Sequence, residues 1–353
     1  MKKYYIAFFA IFLSFVFIAC GSSEESSGNE NGANETDGES SEGIVMKLSH
    51  VGAPDSGRDL GAKRFKEVVE EETNGEVEVQ IYPASQLGGQ RDQVEGVQFG
   101  NIEMVVVPTA YLGGIQPLIT LLDTPYFLPE DLDALLEFYK TDGFQELLQT
   151  TEEVGIKSLG IWHTGYKAFT ANKPLLDPSD LDGLKVRVMP SPIIQEFASV
   201  LGADGITMDF SETYSALQTG AIDGQIDNPI DTIYDMKFHE VQTDITLTYH
   251  GTLDQIVMVN KDWYESLDAD IQEAIMKGFE EGEKVVVDET YKAIDEYLEI
   301  ILEAGINVHE LTEEQLQAYK EAVEPVHEFA KSEFGDEGKE LFEKLQAEID
   351  NLQ

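Results

Sequence analysis

Between Ile44 and Thr109 short apolar runs alternate with amphipathic ones, and this alternation restricts the fold more than any other feature of the chain. Ile44 to His50 reads as a strand. Leu60 to Glu72 sets Leu60, Phe65, Val68 and Val69 along one helical stripe, and Asn74-Gly75 ends it. Val77 to Tyr82 is a second strand, stopped by Pro83. Gln90 to Phe99 is a helix, and Ile102 to Val107 is a third strand before Pro108-Thr109. Strand, helix, strand, helix, strand implies a parallel sheet covered on both faces. Ligands of such sheets bind beyond the carboxyl ends of the strands, here His50, Tyr82 and Thr109.

The remaining chain continues as α/β. Leu132 to Leu148 reads as a helix, Ile156 to His163 as a strand, and Leu184 to Met189 as a short strand halted by Pro190. In that last strand Val186 and Val188 share one face, so Arg187 takes the other. An Arg beside a loop is a fork of donors for a carboxylate, belonging either to a structural acid or to a ligand. Ser211 to Thr219 carries a helix pattern with Ser211 as its cap and Gly220 as its stop. Ala221 to Ile226 follows as a buried strand, then Ile245 to His250 and Leu253 to Asn260. From Asp268 to Ala304 the pattern is helical, with Ile271, Ile275, Phe279, Val286, Tyr291, Ile294, Tyr297 and Ile301 on recurring faces. At ~1.5 Å per residue such a helix runs about 55 Å, longer than one small domain. Leu311 to Ala330 and Phe334 to Leu352 are closing helices.

A chain of 353 residues suggests two domains. Its net charge of −45 argues against nucleic acid as a partner and against a polybasic hold on anionic lipid. An anionic solute would have to be held by local Arg and Lys inside a negative molecule. Residues 1–20 read as an export signal: Lys2 and Lys3, then an apolar run from Ile6 to Ile18 that is short for a membrane span. The run ends Phe17-Ile18-Ala19-Cys20-Gly21, which resembles the bacterial lipobox. It implies lipidation of Cys20, the alternative being ordinary cleavage beside a chance Cys. Cys20 is the only Cys, so no disulfide can form. Residues 21–43 hold no basic side chain and acids at Glu24, Glu25, Glu30, Glu35, Asp37, Glu39 and Glu42, the composition of a disordered, self-repelling tether. Setting these segments aside leaves a body that is itself strongly acidic. That suits a protein working in high salt or at alkaline pH, or a family that tolerates an acidic surface.

No G-x-S-x-G elbow, P-loop, dinucleotide fingerprint or paired catalytic constellation occurs, so no enzyme and no cofactor are expected. His50, His163 and His250 fall at strand ends, but no H-E-x-x-H or close His/Cys cluster accompanies them, and no metal site is expected.

The run LKVRV (184–188), then MDFSETYSALQTGAIDG (208–224), then Asn228-Pro229 resembles the solute-binding proteins of tripartite ATP-independent periplasmic (TRAP) transporters, the DctP family, over residues 46–330. The resemblance implies a two-domain periplasmic-binding-protein fold, class II-like, with a long helix spanning both domains. Domain I would comprise 44–164 and 251–290. Domain II would comprise 165–250 and 291–353, including the closing helices. It implies that Arg187 pairs with the carboxylate of a bound organic acid. Lys167 stands where family members place a second Arg, and loses the bidentate fork. His50 holds a polar position after the first strand, Arg91 is the Arg of an LGG-x-R turn, Thr109 lines the cleft, and His250 lies near a family Asn-His pair. Arg91 could equally cap or pair at a helix start. Phe210 would lie over the ligand's carbon skeleton or pack between domains. A family Asn that binds the carboxylate falls on Asn228 by the Asn-Pro pair, and on Asp227 by gapless counting from Phe210. Repulsion between an acid and a carboxylate favours Asn228. Tyr126 and Phe127 read as packing. The implied protein is lipid-anchored on the extracytoplasmic face of the cell membrane. It would deliver a C4-dicarboxylate or related hydroxy or sugar acid to membrane permease subunits. The alternative is a ligand-presenting partner of a sensor kinase. Pro108 disfavours a sialic acid.

Overall fold

The computed structural model describes residues 43–352, so Cys20, the export signal and most of the acidic tether lie outside the described residues. The chain opens as β1 (Ile44–His50), α1 (Gly57–Glu72), β2 (Val77–Tyr82), α2 (Gln90–Gln98) and β3 (Met104–Pro108). Helix α1 begins earlier than its apolar stripe because Ser56 caps it, accepting from the Asp59 amide. The segment read as one helix from Leu132 is two, α3 (Leu132–Phe138) and α4 (Asp142–Gln149). Tyr139-Lys140-Thr141 interrupts the run. Strand β4 (Ile156–Tyr166) extends past His163.

The second half supplies β5 (Ala168–Ala171), β6 (Lys185–Val188), α5 (Pro192–Val200), β7 (Asp204–Thr207), α6 (Thr213–Thr219), β8 (Gly224–Asn228), α7 (Ile230–Asp235) and β9 (Asp244–Leu247). Ser211 does not cap α6. A short 3-10 turn, Phe210–Glu212, precedes the helix, and no side chain caps its start. Strand β8 is shifted towards the C-terminus of its expected place, which brings Asp227 and Asn228 into the strand. The chain then returns through β10 (Thr252–Asn260), α8 (Lys261–Glu265) and α9 (Ala269–Glu303), and ends with β11 (Asn307–Glu310), α10 (Glu313–Ala322), α11 (Glu324–Glu333) and α12 (Gly335–Leu352). The helix expected over 311–330 breaks at Val323 because Pro325 cannot continue the hydrogen-bond ladder.

Two sheets result. One has the order β2-β1-β3-β10-β4 and the other β11-β9-β5-β8-β6-β7. In the first, β1, β2 and β3 are parallel as the alternation requires, and β10 runs antiparallel to β3 and β4. In the second, β6 pairs parallel with both β7 and β8. Arg187 lies opposite Gln225 in the β6–β8 pairing, a register that decides the site below.

Helix α9 ties the sheets together. Ile271, Ile275, Phe279 and Val286 join the core of the first sheet, and Ile301, with Ile294 and Tyr297 beside it, joins the core of the second. It lies against α1 at very short range. A Cβ on Gly61 would sit 2.2 Å from the Val286 side chain, and one on Gly282 would sit 3.1 Å from the Gly61 carbonyl. Helix α12 packs back on the first half of the chain: Phe342 stacks on Phe127 at 4.5 Å, and Glu348 accepts from the Gly143 amide at 2.8 Å. Phe127 is therefore a packing residue. Among the described residues no helix is long and apolar enough to cross a membrane.

Candidate functional site: a buried charge quartet between the sheets

Strand β6 places Arg187 where its alternation requires, across from the apolar face of Val186 and Val188, yet it is 1 % exposed. Its Nη2 donates to Tyr111 Oη at 2.9 Å, and its Nη1 lies 3.5 Å from Asp227 Oδ2. Asp227 Oδ2 also accepts from the Met189 amide at 2.7 Å. Phe210 sits against the guanidinium, with Arg187 Cζ 5.9 Å from the ring centroid. Nε of Arg187 has no partner.

A second buried pair adjoins the first. Lys167 Nζ lies 3.9 Å from Asp123 Oδ1, which also accepts from Thr109 Oγ1 at 3.3 Å. The other carboxylate oxygen of Asp123, Oδ2, is buried without a partner. Burial pushes the Asp123 carboxyl up to about 6, against the pull of Lys167. Burial also raises Asp227, with Arg187 and then Lys167 opposing it. Lys167 and Asp227 thus sense each other, and the four groups form one alternating set of two cations and two acids. One donor (Arg187 Nε) and one acceptor (Asp123 Oδ2) are left open. Such a set can take a ligand that accepts at one point and donates at another.

Arg187, Lys167, Thr109 and Phe210 lie in this one cluster. Asn228 does not face Arg187; Asp227 does. Arg187 is opposite Gln225, so Asp227, two residues further, shares its face. Asn228 turns away, its Nδ2 donating to Gln225 Oε1 at 2.7 Å. The repulsion that favoured Asn228 is offset because Asp227 is held by a cation and a backbone amide. His250 is buried beside this set but is occupied. Its ring stacks on Phe197 at 5.0 Å, and Nδ1 lies 2.6 Å from Thr248 Oγ1. Burial, then Lys167, holds its pKa well below the usual range, so it is a neutral packing ring. His50 lies 3.3 Å from Asp59 of α1 rather than among the four charges. His163 is held between Asp254, at 2.9 Å, and Tyr291, at 3.1 Å.

Arg91 is 83 % exposed and pairs with Glu95 one helical turn on, at 3.1 Å. It stands at the rim of a cavity of about 460 Å³ that is open between the two sheets' loops. Val94 and Tyr111 line one side, and Pro190, Met208 and Asp209 the other. That volume lies in the range of small-ligand clefts. Tyr111 joins it to Arg187, since one ring both lines the cavity and receives the Arg187 hydrogen bond. Sequence reading missed Tyr111, which sits in a short 3-10 turn with no periodicity, and gave Asp123 no role. Identifying Asp227 takes the β6–β8 pairing as well as the parity of β8.

Residues 48–333 match the family model DctP, bacterial extracellular solute-binding protein, family 7. The C4-dicarboxylate-binding periplasmic protein DctP of Rhodobacter capsulatus is 36% identical over 299 residues, covering 84% of this chain and 89% of that protein. A TRAP periplasmic solute binding protein from Desulfovibrio salexigens, solved with bound orotic acid, superposes with a TM-score of 0.85 at 36% identity. It covers 88% of this chain and 100% of its own. A second, from Shewanella oneidensis with bound succinate, gives a TM-score of 0.81 at 31% identity over 87% of this chain and 99% of its own. These likenesses extend through both sheets and the long helix that joins them, and the chain therefore belongs to the DctP family, the TRAP-type extracytoplasmic solute-binding proteins.

Proposed function

We propose that the protein captures a small organic acid between its two lobes, with the acid's carboxylate held at Arg187, and hands it to TRAP permease subunits in the membrane. The observation that carries this reading is the buried guanidinium with an unpaired Nε, set under Phe210 and connected through Tyr111 to the open cleft. A planar ligand carboxylate matches that fork, and the Phe210 ring offers an apolar wall for the adjoining carbons. Lys167 supplies the second positive charge as a point rather than a fork. Relatives with bound succinate and orotic acid, and the C4-dicarboxylate-binding relative, are all carboxylate binders, which supports the class. With the lobes taken as 44–164 with 251–290 and 165–250 with 291–353, closure would bring Tyr111 and Asp123 of one against Arg187 and Asp227 of the other. Lipidation of Cys20 and the acidic tether hold the body outside the cytoplasmic membrane.

The test is a thermal-shift screen of wild type and Arg187→Ala against a panel of organic acids in high-salt buffer. A rise in melting temperature for one acid class, absent in the variant, is expected, because a ligand that binds only the native state stabilises it. A folded wild type that shifts with no carboxylate would return Arg187 to a structural role.

A further inference from the structure

Arg58 is a buried cation that the site described above does not use. It stands in the first turn of α1, on the first-sheet side of the cleft, and is 8 % exposed. Its Nε and Nη1 have no hydrogen-bond partner. The acids whose charge acts on it, Asp231 and Asp235, belong to α7 on the opposite lobe. Asp231 Oδ1 is likewise unpartnered. Between them lies a cavity of about 20 Å³, lined by Gly52, Ser56, Arg58, Phe210 and Asp231 among others. This space suits one small polar group, not a whole solute. The ring that borders it, Phe210, is the ring that lies against Arg187. Two buried guanidinium groups, each with open donors and each from a different lobe, therefore flank one aromatic wall.

We infer that Arg58 is a second anchor of the ligand site, taking the far acidic group of a two-headed organic acid whose first carboxylate is held at Arg187. The inference rests on the organic-acid reading and narrows it to diacids. A buried guanidinium with two open N–H groups is unfavourable until a partner arrives. Asp231 is a poor permanent partner, since burial pushes its carboxyl up to about 7 even with Arg58 nearby. A diacid that bridges Arg187 and Arg58 also bridges the lobes, so its second head contributes only when they are together.

The test is calorimetric titration of the full chain with matched pairs: succinate against butyrate, and malate against 3-hydroxybutyrate. Wild type is expected to bind the diacid of a pair at least tenfold more tightly. Arg58→Gln should bring that ratio close to one, raising the diacid Kd by about 100-fold and the monoacid Kd by less than threefold. Asp231→Asn should keep the diacid preference. Equal losses for both acids in Arg58→Gln, reproduced by Asp231→Asn, would make Arg58 a lobe-to-lobe latch and overturn the inference. A wild type that binds monoacids as tightly as diacids overturns it while leaving the organic-acid function standing. A wild type that binds no acid overturns both.

Discussion

Arg187 Nη1 and Asp227 Oδ2 face each other at 3.5 Å from neighbouring strands, both 1 % exposed, so the cation proposed to receive the ligand already holds a counter-charge. Removing one partner of a buried pair strands the other, at a cost of about 3–5 kcal/mol. Arg187→Ala should therefore lose acid binding and also unfold at clearly lower temperature. Asp227→Asn should behave differently. Its amide oxygen can still accept from the Met189 amide, and Arg187 is freed from its competitor. Carboxylate Kd should fall several-fold with the fold intact. Titration calorimetry beside a melting curve checks both; an Asp227→Asn variant that binds acids more weakly would show that Asp227 orients Arg187 rather than competes with the ligand.

Asp123 links binding to protons. Its carboxyl is poised at about 6 by burial, and Oδ2 is open. An incoming carboxylate adds negative charge nearby and raises that value further. Binding above pH 6 should then take up a proton at Asp123, and affinity should fall as pH rises from 6 towards 8. Titrations at pH 7 in buffers of different ionisation enthalpy measure the uptake. Asp123→Asn should abolish it and flatten the pH profile.

Much of this architecture is legible in the sequence because its signals are local. Periodicity gives β1 to β3 and α9, and the β6 alternation gives the face that Arg187 takes, though not its burial. What escapes is decided by pairing across the chain. Whether Asp227 or Asn228 meets Arg187 depends on the β6–β8 register, which no single segment contains. Arg58 precedes the helical stripe read from Leu60, so no local pattern predicts its burial or its facing of the α7 acids Asp231 and Asp235. Helix breaks before Asp142 and at Val323 are hidden by apolar patterns that carry on through them, although Pro325 marks the second.

Asp231 makes stability depend on pH. Its folded value, about 7, exceeds the ordinary carboxylate value, so its ionisation opposes folding. The stability it supports is fully present below about pH 4 and is lost as pH rises through about 7. Asp231→Asn should be more stable than wild type at pH 8, by on the order of 1–3 kcal/mol, with the difference shrinking towards pH 4. Denaturant melts at the two pH values check this. A gap that widens on acidification would show that Arg58 holds Asp231 ionised.

The acidic surface sets the last expectation. With a net charge of −45, most carboxylates have no cation beside them. The ion pairs that do form, such as Lys140–Glu137 and Lys331–Glu328, are largely exposed and contribute little. Repulsion between like charges is then the dominant long-range electrostatic effect on the folded body, because folding brings together acids that the open chain keeps apart. Salt screens it: the Debye length falls from about 10 Å at 0.1 M to about 3 Å at 1 M. The buried quartet is shielded from ions and should be little affected. The melting temperature should therefore rise by several degrees between ~0.1 M and ~1 M NaCl at fixed pH, while Arg187-dependent acid binding weakens only modestly. A melting temperature that stays flat or falls would mean that the exposed pairs stabilise the body as much as its excess carboxylates oppose it.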